Sequence, residues 1–496
     1  MRTVLLFGAG KSSSALINYL VSNGPENDWA LIVADASLAA AQSKLKKSTR
    51  DTAVELNIED ALKRRQLVAQ ADIVISLLPP AFHYLVAEDC IEYKKNLLTA
   101  SYIDEKLEKL EQKIKNNNLL FLCEMGLDPG IDHMSAKKMI DEVHAEGGII
   151  TSFLSHCGGL VAPENDDNPW HYKISWNPRN VINAGKAGAV FKQDGEIKTF
   201  PYEEIFSEKR YVTVADDIFC WYPNRDSIRY MQSYDLNDCK TFIRTTLRHP
   251  DFIYGWKNVV DLKLTDDTIF YNTDGLSLMD FFKEHMERND FNKWLEQKLK
   301  KQFEETQSLL TNLVNIVNLE KEGSEEERDI TEDLLMVNEK GSLQQVDVDD
   351  LKNNAAATIA FKMHESKLTL RQLFFLGMDD GKTIVNKGKA SAADVLQFAL
   401  EKKLPLTEND KDMVVMFHEI EFESGNEKKR MESSLVVIGE NGEKTAMAKT
   451  VGLPLGIATK LILNGKIKLT GLHIPIAKEI YEPVMQELET FGISFV

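Results

Sequence analysis

The sequence predicts an α/β fold in which a parallel-sheet domain is followed by a mixed α/β domain and a small helical subdomain. Three observations carry that prediction. Short apolar runs alternate with amphipathic helical stretches through residues 1–125. A glycine-rich turn, GAGKSS, joins the first apolar run to the first helix. Beyond residue 125 the alternation fades into strand-like runs broken by Gly, Pro and Asn, and then into a long helical stretch over 278–320.

The elements follow in order. TVLLF (3–7) is an apolar strand, and the helix after GAGKSS places Ala15, Leu16, Tyr19 and Leu20 on one face. ALIVAD (30–35), DIVISLLPP (72–80), NLLTASY (96–102) and LLFLC (119–123) supply further strands. LAAAQSKLKK and IDEKLEKLEQKIKNN are helices between them. Strands this apolar are buried on both faces, which right-handed βαβ crossovers achieve.

The turn carries Gly8 and Gly10, with Ser13 in the third position of G-x-G-x-x-G. Such a match is weak alone, but here it follows a strand and opens a helix. Gly8 permits the tight turn, Gly10 lets backbone approach a pyrophosphate, and Lys11 and Ser12 open the helix beneath it. Residues 1–125 therefore read as a Rossmann-type dinucleotide-binding domain. Asp35 ends the second strand, with Ala36 after it. A carboxylate there accepts hydrogen bonds from ribose hydroxyls and repels a 2′-phosphate, which favours NAD over NADP. Lys11, Lys44 and Lys46 stand against that choice, and a plain capping role is the alternative for Asp35. Leu77, Leu78 and Pro79 sit where a Pro pair ends the fourth strand, at the carboxyl edge where ligands bind. TASY (99–102) and EMGLDPGIDH (124–133) reach the same edge, so nicotinamide and substrate meet there. Pro129 and Gly130 turn the chain, and Asp132 caps the helix HMSAKKMIDEVH.

A net charge of −18 argues against nucleic acid or an anionic membrane as the main partner. Cys90, Cys123, Cys157, Cys220 and Cys239 are scattered, without a C-x-x-C pair, which suits reduced thiols in the cytoplasm. No run approaches the roughly 18 apolar residues of a membrane span, and the first strand begins at Thr3, so a cytoplasmic protein is expected. No His, Asp or Glu set has metal-ligand spacing, so no metal is expected. EKEGSEEERD (320–329) reads as a solvated acidic turn. DMVVMFHEIEFE and SSLVVIG read as antiparallel strands.

ISLLPPAFHYLVAEDCI, TASYI, GLDPGIDHMSA, SHCGGLVAPENDDNPWHYKISWNPRNV, YPNRDS, TTLRHPDF and TVGLPLGIATKLIL, in this order, resemble the saccharopine dehydrogenase family, in its glutamate-forming branch. The resemblance spans nearly the whole chain. It implies a dinucleotide-binding Rossmann domain at 1–125, a mixed α/β substrate domain at 126–280 and 350–450, a helical subdomain at 281–349, and a segment at 451–496 packing back on the first domain. It implies NAD-dependent oxidation of saccharopine to L-glutamate and 2-aminoadipate 6-semialdehyde, by hydride transfer and imine hydrolysis in lysine degradation. NADP-dependent relatives carry Arg where this chain has Asp35, and NAD-using relatives carry Asp.

The family match places substrate-binding roles on Ser101, Tyr102, Asp128, Cys157, Arg225, Thr246, Leu247 and Arg248, with Arg179 a further candidate. Asp128 and Tyr102 are the catalytic candidates, Asp128 binding the reacting amine and Tyr102 a carboxylate, with capping of the DPG turn the alternative role for Asp128, while Cys157 lines the pocket without acting as nucleophile. Arginine suits a substrate with three carboxylates because its planar fork binds carboxylate bidentately. Cofactor contacts fall on Gly8, Gly10, Lys11, Ser12, Asp35, Ala36, Asn57, Ile58, Leu78, Pro79, Ala100, Met125 and Leu127. His156 replaces the usual Tyr of SYCGG, and Trp170 and His171 replace smaller residues, which bears on substrate choice. His133 and His156 are read as structural. A homodimer is expected, without nucleic acid or membrane. Two alternatives stay open: a reductive condensation resembling that of carboxynorspermidine dehydrogenase, and a non-catalytic nucleotide sensor.

Overall fold

The computed structural model describes residues 1–45, 49–322, 334–337, 343–346, 360, 363–365 and 367–496. Lys46, most of the acidic run and much of 323–366 lie outside the described residues. The chain forms two compact units, Met1–Pro250 with Leu404–Val496, and Asp251–Lys403.

The first unit holds a seven-stranded, all-parallel sheet. Its strands are β1 (Arg2–Phe7), β2 (Trp29–Asp35), β3 (Thr52–Glu55), β4 (Ile73–Ser76), β5 (Asn96–Thr99) and β6 (Leu120–Leu122). The strand Gly471–His473 completes it beside β6, and the spatial order runs from that strand through β6, β5, β4, β1 and β2 to β3. Side chains alternate across the sheet: Val4 and Leu6 enter one core with Leu16 and Leu20, while Leu5 and Phe7 enter the other with Val74 and Val86. Burying each such side chain stabilises the fold by about 1.5–3 kcal/mol.

The helix Ala446–Leu463 passes the length and composition test for a membrane span, which corrects the reading that no run comes near it. It is a core helix, 72% buried over that window. Gly452 and Gly456 let it close on the helix Ser14–Asn27, since an added Cβ would lie 2.7 Å from Leu16 N and 2.5 Å from the Tyr19 ring.

A nine-stranded mixed sheet fills the rest of the first unit. It contains β7 (Ile149–Val161), β8 (Ala189–Gln193), β9 (Glu196–Phe200), β10 (Arg210–Val214), β11 (Asp217–Pro223), β12 (Arg225–Asp226) and β13 (Thr241–Arg248). The antiparallel pair Asp412–Ser424 and Glu427–Ile438 adds to β7. β13 runs parallel to β7, which sets Thr246 against Cys157.

In the second unit, Phe270–Asn272 pairs with Lys389–Ser391 among the helices Leu278–Arg288, Phe291–Glu322 and Ala392–Lys403. That pairing draws 251–280 and 367–403 into the helical unit. The boundaries at 280 and 350 expected from sequence are therefore not those of the compact units.

Candidate active site

β1 and β4 are neighbours although two strands separate them in sequence, so the glycine turn lies at the switch point of the sheet, where such folds bind ligands. Gly8 has φ +104°, and an added Cβ would stand 2.8 Å from Leu77 O at the end of β4. Gly10 has open space within 4 Å of where its Cβ would be. It caps the short turn Lys11–Ser13 that leads into the helix Ser14–Asn27. This bare backbone above a helix N-terminus fits the pyrophosphate of a dinucleotide.

The sequence-predicted cofactor residues gather along one edge. Gly8, Gly10, Lys11 and Ser12 follow β1, and Asp35 and Ala36 end β2. Asn57 and Ile58 follow β3, Leu78 and Pro79 follow β4, Ala100 follows β5, and Met125 and Leu127 follow β6. Met125 and Leu127 turn their side chains into the core, which leaves backbone for a ligand. Lys11 directs its ammonium to Ile174 O at 3.3 Å.

The reacting end is built by the loops after β5 and β6 and by β7 and β13. Ser76, at the end of β4, contacts His83 Nδ1 at 2.8 Å, and Ser101 contacts its Nε2 at 2.7 Å. Burial pushes His83 down to about 4, so a neutral imidazole fixes Ser101. Tyr102 donates from its hydroxyl to Asp128 Oδ1 at 3.1 Å. Arg244 Nη2 donates to the same oxygen at 2.8 Å and to Asp132 Oδ2 at 2.5 Å. Burial, reinforced by the Asp132 carboxylate, pushes Asp128 up to about 6. Burial works against Asp132 too, but His133, Arg244 and the Gly130 N–H hold it below the usual carboxylate range. Burial, with Asp128 nearby, drives Tyr102 well up, so its phenol stays protonated. A carboxyl poised near neutrality beside a protonated phenol can accept or return a proton.

Arg225 is exposed and lays its guanidinium over the Tyr102 ring at 5.0 Å. Among the described residues it forms no ion pair. Arg248 is buried, donates to Leu247 O at 2.8 Å and stacks on Tyr172 at 5.3 Å. Thr246 and Cys157 adjoin across β13 and β7. Burial drives the Cys157 thiol well up, with Asp128 and Asp132 adding to it, so it stands as a neutral lining group.

One residue sits otherwise than expected. Leu247 faces away, into the core of Leu160 and Val415, so only its backbone borders Arg248. His156 lies on the opposite side of β7 from Cys157, buried and bonded to Thr245 Oγ1 at 2.7 Å and Glu419 Oε2 at 2.9 Å, in keeping with a structural role. Asp132 does receive the Gly130 N–H at 2.6 Å, but its second oxygen serves Arg244.

Sequence reasoning missed Arg244 and Glu124. Glu124 accepts from Ile103 N and the Tyr230 hydroxyl, both at 3.0 Å, and pairs with His133 Nε2 at 2.8 Å. Arg244 shares a strand face with Thr246 and Arg248 by the two-residue alternation of β13. That spacing was a usable signal.

Residues 126–493 match the family model described as saccharopine dehydrogenase C-terminal domain, and residues 4–122 match the saccharopine dehydrogenase NADP binding domain. The chain belongs to the saccharopine dehydrogenase family. A Saccharomyces cerevisiae relative named saccharopine dehydrogenase (NADP(+), L-glutamate-forming) is 33% identical, over 99% of this chain and 98% of its own. A Pyricularia oryzae protein of the same name is 32% identical over the same shares. The solved apo structure of histidine-tagged S. cerevisiae saccharopine dehydrogenase (L-Glu forming) superposes with a TM-score of 0.76 at 31% identity, covering 100% of this chain and 99% of that one. These establish the saccharopine dehydrogenase family in its glutamate-forming branch, with the Rossmann-type and mixed-sheet architecture.

The expectation of NAD is overturned. The matched nucleotide domain is described as NADP binding, and both relatives carry NADP(+) in their names. Asp35 accepts from Ala9 N at 2.7 Å on one oxygen and from Ser37 N at 2.8 Å on the other. The carboxylate thus ties the glycine turn to the end of β2, a structural use that sequence alone could not separate from ribose binding. Lys44 adds a cation nearby, donating to Gly10 O and, at 2.9 Å, to Ser13 Oγ.

Proposed function

We propose that this protein oxidises saccharopine to L-glutamate and 2-aminoadipate 6-semialdehyde, in lysine metabolism, with NADP as the cofactor. The carrying observation is Asp128, a half-buried carboxyl at the carboxyl edge of the dinucleotide sheet, held by the Tyr102 hydroxyl at 3.1 Å and Arg244 Nη2 at 2.8 Å. When bound, the nicotinamide supplies the acceptor for hydride from the lysine-side carbon. Gly8 and Gly10 give the pyrophosphate its backbone cradle. Arg225 and Arg248 take substrate carboxylates, Asp128 takes the amine proton, and Tyr102 and Ser101 orient the glutamate end. Water then adds to the imine, and Asp128 returns its proton to the nitrogen as the carbon–nitrogen bond breaks.

The test is absorbance at the reduced-nicotinamide band, with purified protein, saccharopine, and NADP or NAD in parallel. NADPH formation with glutamate as product supports the proposal. Absence of turnover with saccharopine under either nucleotide refutes the substrate assignment, and turnover confined to NAD refutes the cofactor assignment.

A further inference from the structure

Arg244 has a position that no motif of the sequence announces. Its side chain is 3% exposed, and its Nη2 bridges two carboxylates four residues apart, Asp128 in the turn before the helix Ile131–Ala145 and Asp132 in its first turn. One guanidinium thus answers two acids, Asp132 buried and Asp128 half-buried. Among the described residues, both hydrogen bonds to Asp128 fall on Oδ1, from Tyr102 and from Arg244, while Asp128 keeps 14% exposure of its side chain. The groups facing Asp128 come from every neighbouring element: Tyr102 after β5, Asp132 and His133 from the helix, Cys157 from β7 and Arg244 from β13. Tyr102 and Cys157 are kept neutral by burial, and His133 spends its Nε2 on Glu124. Arg244 is the cation of this set that bonds Asp128 directly, and Asp132 competes for it.

We propose that Arg244 is the positioning residue of the proton-transfer step: it anchors Asp128 by Oδ1, turns Oδ2 toward the substrate amine, and through its division with Asp132 sets how readily Asp128 takes the proton. The inference rests on the saccharopine-oxidising function proposed above. In the step, the N–H bond of the secondary ammonium breaks, its electron pair stays on nitrogen, and an O–H bond forms at Oδ2. Asp132 acts through Arg244 and touches no substrate.

The consequence has a sign. Ionised Asp128 is the active form, so activity falls as pH drops through its value. Removing Arg244 strips the cation and raises that value. Removing the Asp132 charge strips a repelling neighbour and leaves the guanidinium undivided, which lowers it. The experiment is the pH profile of kcat/KM for saccharopine in wild type, R244Q, R244K and D132N. R244Q is expected to move the acid limb upward by about one pH unit, and D132N to move it downward by a similar amount. R244K is expected to restore the limb while kcat stays reduced, since an ammonium supplies the charge without the fork.

Limbs that stay put, or that move the same way in R244Q and D132N, overturn the proposal. Should R244Q lose its thermal unfolding transition, D132N decides alone, and a limb unmoved or raised there overturns it. The infrared carbonyl band of protonated Asp128, assigned by its loss in D128N, is followed against pH in the protein without substrate. Opposite displacements of that titration support the positioning role even if saccharopine is not turned over, a result that would sink only the function reading.

Discussion

Gly130→Ala is expected to disable the turn that carries Asp128. Gly130 has φ +146°, and an added Cβ would lie 2.1 Å from Gly126 O, 2.3 Å from Gly126 N and 2.4 Å from Gly126 C. All three are backbone atoms, so no side chain can swing aside and the turn must open. Three hydrogen bonds close it: Gly126 N to Pro129 O and Ile131 N to Gly126 O, both at 2.9 Å, and Asp132 N to Leu127 O at 3.1 Å. At about 1 kcal/mol net each, together with about 1–3 kcal/mol of backbone strain, the substitution costs about 4–6 kcal/mol. That is a large share of a stability of about 5–15 kcal/mol. Displacing Asp128 by an ångström lowers kcat/KM about 100-fold even where the protein still folds. Gly147→Ala is the matched control, with φ +76° and nothing within 4 Å of its Cβ, and it costs only about 1–2 kcal/mol. Denaturation midpoints and kcat/KM are measured for both variants. If Gly130→Ala matches Gly147→Ala in both, the steric argument for this turn is wrong.

Further outcomes follow from the same geometry. Arg225→Ala raises KM for saccharopine about 10- to 100-fold, the worth of charged hydrogen bonds at about 1.5–3 kcal/mol, while the melting temperature holds because Arg225 is exposed. A melting temperature that falls with unchanged KM would show a structural arginine instead. Asp35→Ala loosens the glycine turn and weakens binding of NADP and NAD alike, about tenfold, as read by nucleotide fluorescence titration. A selective gain in NADP affinity would mean that the carboxylate faces the ribose after all. Burial holds His83 and His418 down at about 4, below the unfolded value of 6.5, so the unfolded chain binds protons first. Their contribution to stability is complete above about pH 6.5 and is lost as pH falls toward 4. A denaturation midpoint flat across that window would count against neutral, buried imidazoles at both positions.

The dinucleotide half was legible because each local signal agreed with its neighbours. Apolar runs such as VLLF and IVIS are long enough for a strand and too short for a helix, and the Gly8 turn sits between one strand and one helix. Asp35 shows the limit of that reading. A carboxylate at the end of β2 has the same sequence position whether it binds ribose or a backbone N–H, and only the contacts to Ala9 and Ser37 separate the two uses. Arg244 is only half legible: its two-residue spacing with Thr246 and Arg248 marks one face of the strand, but the two aspartates it bridges meet it only in the folded chain. Thr450 and Lys460 interrupt the apolar run of the helix Ala446–Leu463 in the sequence, although by length and composition it is apolar enough to cross a membrane. The extent of the second unit depends on Phe270–Asn272 meeting Lys389–Ser391, a pairing across more than a hundred residues that no local pattern announces.

The strand Gly471–His473 bears on how the protein is made. Leu120–Leu122 takes its outer partner from it, with Gly471 N bonded to Leu119 O at 2.7 Å and Cys123 N bonded to His473 O at 2.9 Å. Translation runs from the N-terminus, so β6 waits with an open edge while the whole mixed sheet and the second unit are synthesised. The turn bearing Asp128 hangs directly from that waiting strand. The outer edge of the nucleotide-binding sheet is therefore the last to be synthesised, and a nascent chain halted before residue 471 carries the cofactor motif without the strand that pairs with β6.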